Sequence, residues 1–178
     1  ACSQADRTLP TKAVVLGARA TASSALAALG ELGIVTSTVA ARRFGGPGSV
    51  VAASSRLGVS IEQVLWSDRG AVLRAVSGAD LVISTLPAGV ADPLAEEMTV
   101  REGQVLLDVV YSPRETALRS AFERNGGIVA EGTDMLIYQA AAQVQLMTGR
   151  SPKTDVMRGA LEAELARRAR AGGGGAAS

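Results

Sequence analysis

Several short stretches of this chain hold residues whose types and spacing bear on chemistry. The first is Gly17, Ala18, Arg19, Ala20 and Thr21. A glycine that ends an apolar run and opens a helical pattern allows a tight bend, after which the amides of residues 18–22 face outward at a helix N-terminus. Such a terminus is a natural seat for a phosphate. Thr21 adds a hydroxyl, and Arg19 adds a guanidinium that can pair with phosphate as a charged fork. By residue type the turn is either a cofactor seat or a plain strand-to-helix connection. Arg19 and Ala20 stand where a dinucleotide turn usually has glycine for close backbone approach.

The second stretch is Ala41, Arg42 and Arg43, at the end of the next apolar run and without a carboxylate. A free ribose 2′-hydroxyl is usually read there by an acidic residue, and a 2′-phosphate by arginine. Any dinucleotide bound here should therefore be NADP; otherwise the two arginines are solvated surface. Leu86, in the loop Ser84 to Pro87, follows another strand end. Tyr111 offers a hydroxyl beyond a further strand, or simply packs as an amphipathic ring. Gln139 lies one turn after Met135 among apolar neighbours, where an unpartnered amide is costly, so it meets either protein backbone or a polar ligand.

Composition removes other chemistries. The 178 residues include no histidine and one cysteine, Cys2, which excludes Ser-His-Asp and Cys-His mechanisms, an intramolecular disulfide and a cysteine-built metal cage. No metal site is expected. A net charge of +1 gives no bulk attraction to nucleic acid or a membrane surface, and no apolar run approaches the ~20 residues of a spanning helix. A cytoplasmic setting is expected. The chain starts at Ala1 without methionine, which reads as processing or as a fragment of a longer protein.

The elements that must position these residues alternate. Ala13 to Leu16 predict a strand, and Ala22, Ala25, Leu26 and Leu29, at i, i+3, i+4 and i+7, predict the helix after it. Gly33 stops that helix, and Val35 to Ala40 predict a second strand. Phe44 to Gly48 read as a loop, Val50 to Leu57 as a short helix and Ser60 to Trp66 as a weak strand. Asp68 caps a helix running to Val76, ended by Gly78. Asp80 to Leu86 predict a fourth strand and Val90 to Met98 a helical turn. Gln104 to Val110 read as an apolar strand covered on both faces. Glu115 to Arg124 predict a helix stopped by Asn125, Gly126 and Gly127, before a short strand at Ile128 to Ala130.

Two C-terminal helices follow, Thr133 to Thr148 and Pro152 to about Arg170, the second with an apolar stripe of Met157, Leu161 and Leu165. Residues 1–11 are expected to be a lead-in or linker, 12–171 one nucleotide-binding domain and 172–178 a disordered tail. The fold class is α/β: a Rossmann-type, doubly wound parallel sheet of about six strands. Its ligand crevice lies beyond the carboxyl ends of the strands, which carry Gly17, Arg42, Leu86 and Tyr111.

Leu106 to Leu118, LLDVVYSPRETAL, and Gly132 to Pro152, GTDMLIYQAAAQVQLMTGRSP, resemble the NADP-binding domain of the shikimate dehydrogenase family: a strand, tyrosine and proline segment with Thr-x-Leu, then a Gly-x-x-Met-Leu-x-x-Gln-Ala helix ending in Thr-Gly-x-x-Pro. The likeness extends over most of Ala13 to Leu165. It implies a part in reversible hydride transfer between NADPH and 3-dehydroshikimate. It places Gly17 to Thr21 at the pyrophosphate, Ala41, Arg42 and Arg43 at the 2′-phosphate, Leu86 under the dinucleotide, and Val109 and Gly132 on the nicotinamide side, with Met135 also at the cofactor. Tyr111 and Gln139 would touch substrate.

The family's Gly-x-Gly-Gly turn is altered here at Arg19 and Ala20, threonine is common where Leu86 stands, and asparagine is common at Ala41. The family's catalytic lysine and aspartate lie in an N-terminal substrate domain that this chain does not carry, so no catalytic residue is assigned and the isolated chain is expected to be inactive. The expected partners are NADP(H) and, only with that domain, shikimate or a related cyclic polyol such as quinate. The rival expectation is a degenerate dinucleotide-fold domain kept for binding or assembly.

Overall fold

The computed structural model describes residues 10–46, 48–110 and 115–172. The chain divides into two compact units, Ala1–Glu131 and Gly132–Ser178. In the first, β1 (Ala13–Leu16), β2 (Thr36–Ala41), β3 (Ser60–Leu65), β4 (Leu81–Ser84), β5 (Val105–Asp108) and β6 (Ile128–Ala130) alternate with five helices. These are α1 (Ala20–Glu31), α2 (Val50–Leu57), α3 (Arg69–Gly78), α4 (Asp92–Glu97) and α5 (Ala117–Arg124). All strand pairs are parallel, in the order β3-β2-β1-β4-β5-β6. This is the doubly wound sheet the alternation predicts, with its order reversing at β1 and β4.

The strand period of two sorts the core into two layers. Val14, Leu16, Ala40, Val82 and Leu106 face α3, α4 and α5 and pack with Val72, Val76, Leu94, Leu118 and Phe122. The alternate residues Ala13, Val15, Val39, Ala41 and Ile83 face α1 and α2 and pack with Ala22, Leu26, Leu29 and Val50. Each fully buried Leu or Phe side chain contributes about 1.5–3 kcal/mol of hydrophobic stabilisation. The spacing of Ala22, Leu26 and Leu29 thus fixes which face of α1 lies on the sheet.

The local punctuation is also visible in the backbone. Asp68 accepts a hydrogen bond from the Ala71 amide at 3.0 Å and caps α3. Thr116 does the same for α5, accepting from the Arg119 amide at 3.1 Å.

Several predicted strands are longer than those observed. Val35 precedes β2 and is 59% exposed, and β4 and β5 end at Ser84 and Asp108, short of Leu86 and Val110. Apolar character continues past the last ladder pair because these residues begin the loops at the sheet edge. The last residue of β5 is not apolar: Asp108 is 6% exposed.

The second unit consists of α6 (Gly132–Thr148) and α7 (Thr154–Gly172), which contact one another and share an ion pair between Asp134 and Arg158. Met157, Leu161 and Leu165 are each half-buried, as a helix stripe should be. Helix α7 includes Gly172, which the sequence reading assigned to the tail; a terminal helical residue needs no following turn, so glycine is tolerated there. The remainder of that tail, and residues 1–9 of the lead-in, lie outside the described residues.

Candidate functional site

The carboxyl edge of the sheet is assembled by register. Leu16 of β1 stands beside Ala40 of β2 and Ser84 of β4, and Ser84 stands beside Asp108 of β5. The residues that follow therefore emerge along one edge: Gly17, then Arg42 and Arg43, then Thr85 and Leu86, then Val109. Loop bonds fasten this edge. The Gly17 amide donates to Ala40 O at 2.8 Å, Thr85 N to Leu16 O at 2.8 Å, and Val109 N to Ser84 O at 3.0 Å.

At the centre of that edge Gly17 has φ +112°, a conformation that favours glycine. A Cβ built on it would sit 2.2 Å from Thr85 Oγ1, which donates to Leu16 O at 2.8 Å. The space beside this glycine is thus filled by a side chain from across the switch point. From sequence, Gly17 reads as the bend and as part of the phosphate seat; nothing in the spacing of residues 17 and 85 announces their contact.

Beyond Gly17 the chain enters α1 through Arg19, whose backbone is extended (φ −99°, ψ −168°) and whose side chain makes no capping bond. Ala18 is buried, whereas Arg19, Ala20 and Thr21 are exposed. Among the described residues, the amides of Ala18, Arg19, Ala20, Thr21 and Ala22 donate to no protein acceptor. Consecutive free N–H groups at the positive end of a helix are suited to an anion such as a diphosphate. The substitution of Arg19 and Ala20 for glycine leaves these donors in place. Neither residue needs a positive φ here.

Arg42 and Arg43 directly follow β2 and are exposed, while Ala41 is 5% exposed and belongs to the core. Ala41 O accepts from Trp66 N at 2.9 Å, so the strand end from which the arginines project is held on its outer side as well. No ion pair engages Arg19, Arg42 or Arg43 among the described residues. The edge therefore carries three guanidiniums with no counter-ion among the described residues. That balance suits a ligand with several phosphates.

On the far side of the switch point, Leu86 lines a small cleft of about 10 Å³ together with Ser84, Pro87, Asp108, Val110 and Thr116. Asp108 is the functional-region residue that sequence reasoning missed. Its Oδ2 accepts from the Thr116 hydroxyl at 2.8 Å and its Oδ1 from the Val110 amide at 3.2 Å. It therefore ties the end of β5 to the cap of α5 across residues 109–115. An acidic residue inside an otherwise apolar strand was the available signal.

Tyr111 lies outside the described residues. Gly132, Met135 and Gln139 lie on α6 in the second unit. Gln139 is exposed, so the premise of a costly buried amide does not hold: a helix face open to water hydrates the amide without a partner.

A larger cavity, about 410 Å³, opens at the opposite, amino edge of the sheet between Lys12, Thr36, Thr38, Glu62, Arg74 and Gly78. Its one carboxylate, Glu62, already accepts from the Thr38 hydroxyl at 3.1 Å. Size alone does not draw the ligand site there, because the free amides and unpaired guanidiniums are at the carboxyl edge.

Residues 132–162 match the family described as the Shikimate 5′-dehydrogenase C-terminal domain. The shikimate dehydrogenase (NADP(+)) of Methanothermobacter thermautotrophicus is 38% identical over 97 residues, covering 52% of this chain and 34% of that protein. The shikimate dehydrogenase (NADP(+)) of Moorella thermoacetica is 33% identical over 151 residues, 82% of this chain and 51% of that protein. The crystal structure of Mycobacterium tuberculosis shikimate dehydrogenase superposes with a TM-score of 0.71 at 36% identity, covering 83% of this chain and 55% of that one. The chain spans about half the length, or less, of these relatives. With a six-stranded parallel sheet in the order 3-2-1-4-5-6 and this likeness along most of its length, the chain belongs, over the half that it spans, to the shikimate dehydrogenase family.

Proposed function

We propose that this chain is the NADP-binding half of a shikimate-dehydrogenase-like oxidoreductase, and that by itself it is catalytically silent. The observation that carries the cofactor assignment is the carboxyl edge itself. Among the described residues, five amides without a protein acceptor precede and open α1, and Arg42 and Arg43 stand at the end of the neighbouring strand with no ion pair. The names of the relatives, shikimate dehydrogenase (NADP(+)), support the same cofactor.

In this proposal the amides of Ala18 to Ala22 and the Thr21 hydroxyl bond the diphosphate oxygens, and Arg42 and Arg43 pair with the adenosine 2′-phosphate. Leu86 and Val109, at the ends of β4 and β5, bound the nicotinamide side. The resemblance assigns Gly132 and Met135 to the cofactor, and Tyr111 and Gln139 to the substrate. When bound, the nicotinamide would supply the hydride for a carbonyl such as that of 3-dehydroshikimate, with the proton for the resulting hydroxyl drawn from the catalytic groups that the resemblance places in the substrate domain. This chain supplies binding and orientation. It has no histidine, and the resemblance implies that the catalytic lysine and aspartate come from the family's N-terminal substrate domain. Hydride transfer needs both reactants in near-attack geometry, which a cofactor seat alone does not impose.

The test is titration of the 178-residue chain with NADPH, with Arg42→Ala as control. A charge-assisted contact is worth about 1.5–3 kcal/mol, so the variant should bind roughly 10- to 100-fold more weakly. No NADPH-linked reduction of 3-dehydroshikimate should occur in either. Absence of binding at millimolar cofactor by a folded chain would favour the second reading, a degenerate domain kept for binding or assembly. Arg19 is the observation on that side, because its side chain projects from the N-cap of α1, where the diphosphate would lie.

A further inference from the structure

The two parts of the cofactor seat come from different βα units, yet among the described residues one side-chain hydrogen bond joins them. The segment after β2 that carries Arg42 and Arg43 contains glycines 45, 46 and 48, two of them with positive φ, and its described residues have no regular structure before α2. Arginines borne on such a segment discriminate a phosphate only if the segment has a fixed path. Its near end is fixed by β2. Its far end is fixed to the β1–α1 turn: Val50 N donates to Ala18 O at 3.3 Å, and Ser23 Oγ lies 3.2 Å from Gly48 O.

Ser23 is in the first turns of α1, four residues after Arg19, and its hydroxyl is also 3.4 Å from Arg19 O. A hydroxyl has one proton to donate, and the shorter contact is the one that crosses to Gly48. Among the described residues this is the one side-chain hydrogen bond that reaches positions 42–46, 48 and 49. Phe44 packs on the same cluster as Ala18, Ala22 and Val50, so the apolar contact and the hydroxyl bond hold the segment from both sides.

We propose that Ser23 is a positioning residue for cofactor discrimination: it holds the arginine-bearing segment against the phosphate turn, so that the 2′-phosphate and the diphosphate are read as one rigid pattern. This rests on the cofactor reading above. Ser23 itself touches no ligand atom. Its effect is confined to the part of the ligand that the segment meets, the 2′-phosphate, and is absent from the diphosphate shared by both dinucleotides.

The test is calorimetric titration of the full chain and of Ser23→Ala and Ser23→Thr with NADPH and with NADH. Loss of one neutral hydrogen bond should weaken NADPH binding by roughly threefold to tenfold in Ser23→Ala. NADH binding should stay within about twofold, and Ser23→Thr, which keeps the hydroxyl, should restore the NADPH value. An equal loss for both dinucleotides, or no loss for either, overturns the proposal while leaving NADP binding intact. A wild-type chain that binds no NADPH overturns the cofactor reading and this inference together. A shift in the thermal midpoint with an unchanged NADPH to NADH ratio would show that the bond serves stability alone, and also overturns it.

Discussion

Substituting alanine for Gly17 probes the contact that closes the sheet at its switch point. Two costs are visible in the structure. The residue has φ +112°, which for an L side chain outside its favoured region costs about 1–3 kcal/mol. The new methyl would also lie 2.2 Å from Thr85 Oγ1, so that hydroxyl must move and release its 2.8 Å bond to Leu16 O, worth about 1 kcal/mol. Leu16 O keeps the Thr85 amide at 2.8 Å, so the acceptor is not orphaned. Gly17→Ala should therefore lose about 2–4 kcal/mol, and Thr85→Ala about 1 kcal/mol.

The decisive measurement is the double-mutant cycle, by urea denaturation with a common m-value. In Gly17→Ala/Thr85→Ala the methyl no longer meets a hydroxyl, and the hydroxyl bond cannot be lost twice. The double variant should be more stable than the sum of the singles predicts by about 1 kcal/mol or more. Additivity within about 0.5 kcal/mol would refute the claim that Thr85 occupies the glycine's missing side-chain space. A Gly17→Ala cost below that figure would refute the backbone argument as well.

Further outcomes follow from the buried and hydrogen-bonded carboxylates. Asp108→Ala leaves the Thr116 hydroxyl and the Val110 amide without their acceptor and should destabilise the chain by about 2–3 kcal/mol in the same assay; Asp108→Asn, which keeps an acceptor oxygen, should be milder. Asp80 is held at a pKa of about 2, below its ordinary 3.8, by hydrogen bonds from the Thr11 amide and hydroxyl, and also from the Lys12 amide and Arg101. Because its folded value is depressed, the stability it contributes is present above pH 3.8 and is lost as pH falls from there through about 2. Wild type should thus lose stability more steeply than Asp80→Asn over that window, by about 1 kcal/mol or less, since the carboxylate is partly exposed.

The sheet was legible because two periodicities coexist in one chain. Ala13 to Leu16 and the α1 positions Ala22, Leu26 and Leu29 are short-range patterns set by which atoms must leave water, and the structure buries those side chains. Caps at Asp68 and turns at Gly33 and Gly126 are equally local. Strand ends were read too long, because an apolar residue past the last ladder bond looks the same in sequence as one inside it. What could not be read is long-range: Thr85 against Gly17, Ser23 against Gly48, and Asp108 against Thr116 across a loop. Such contacts depend on register, which follows from the assembled sheet. Gln139 erred in the opposite direction, since apolar neighbours in sequence do not bury a side chain that the helix turns toward water.

The free amides at the start of α1 bear on how such a sequence can drift. The main-chain part of such a seat has no side chain to conserve: replacing Ala18 or Ala20 by another non-proline residue changes bulk and charge around it and deletes no donor. Recognition chemistry and sequence signature are then separable. A turn with Arg19 and Ala20 in place of fingerprint glycines still presents, among the described residues, a row of main-chain donors, and only proline could erase one outright.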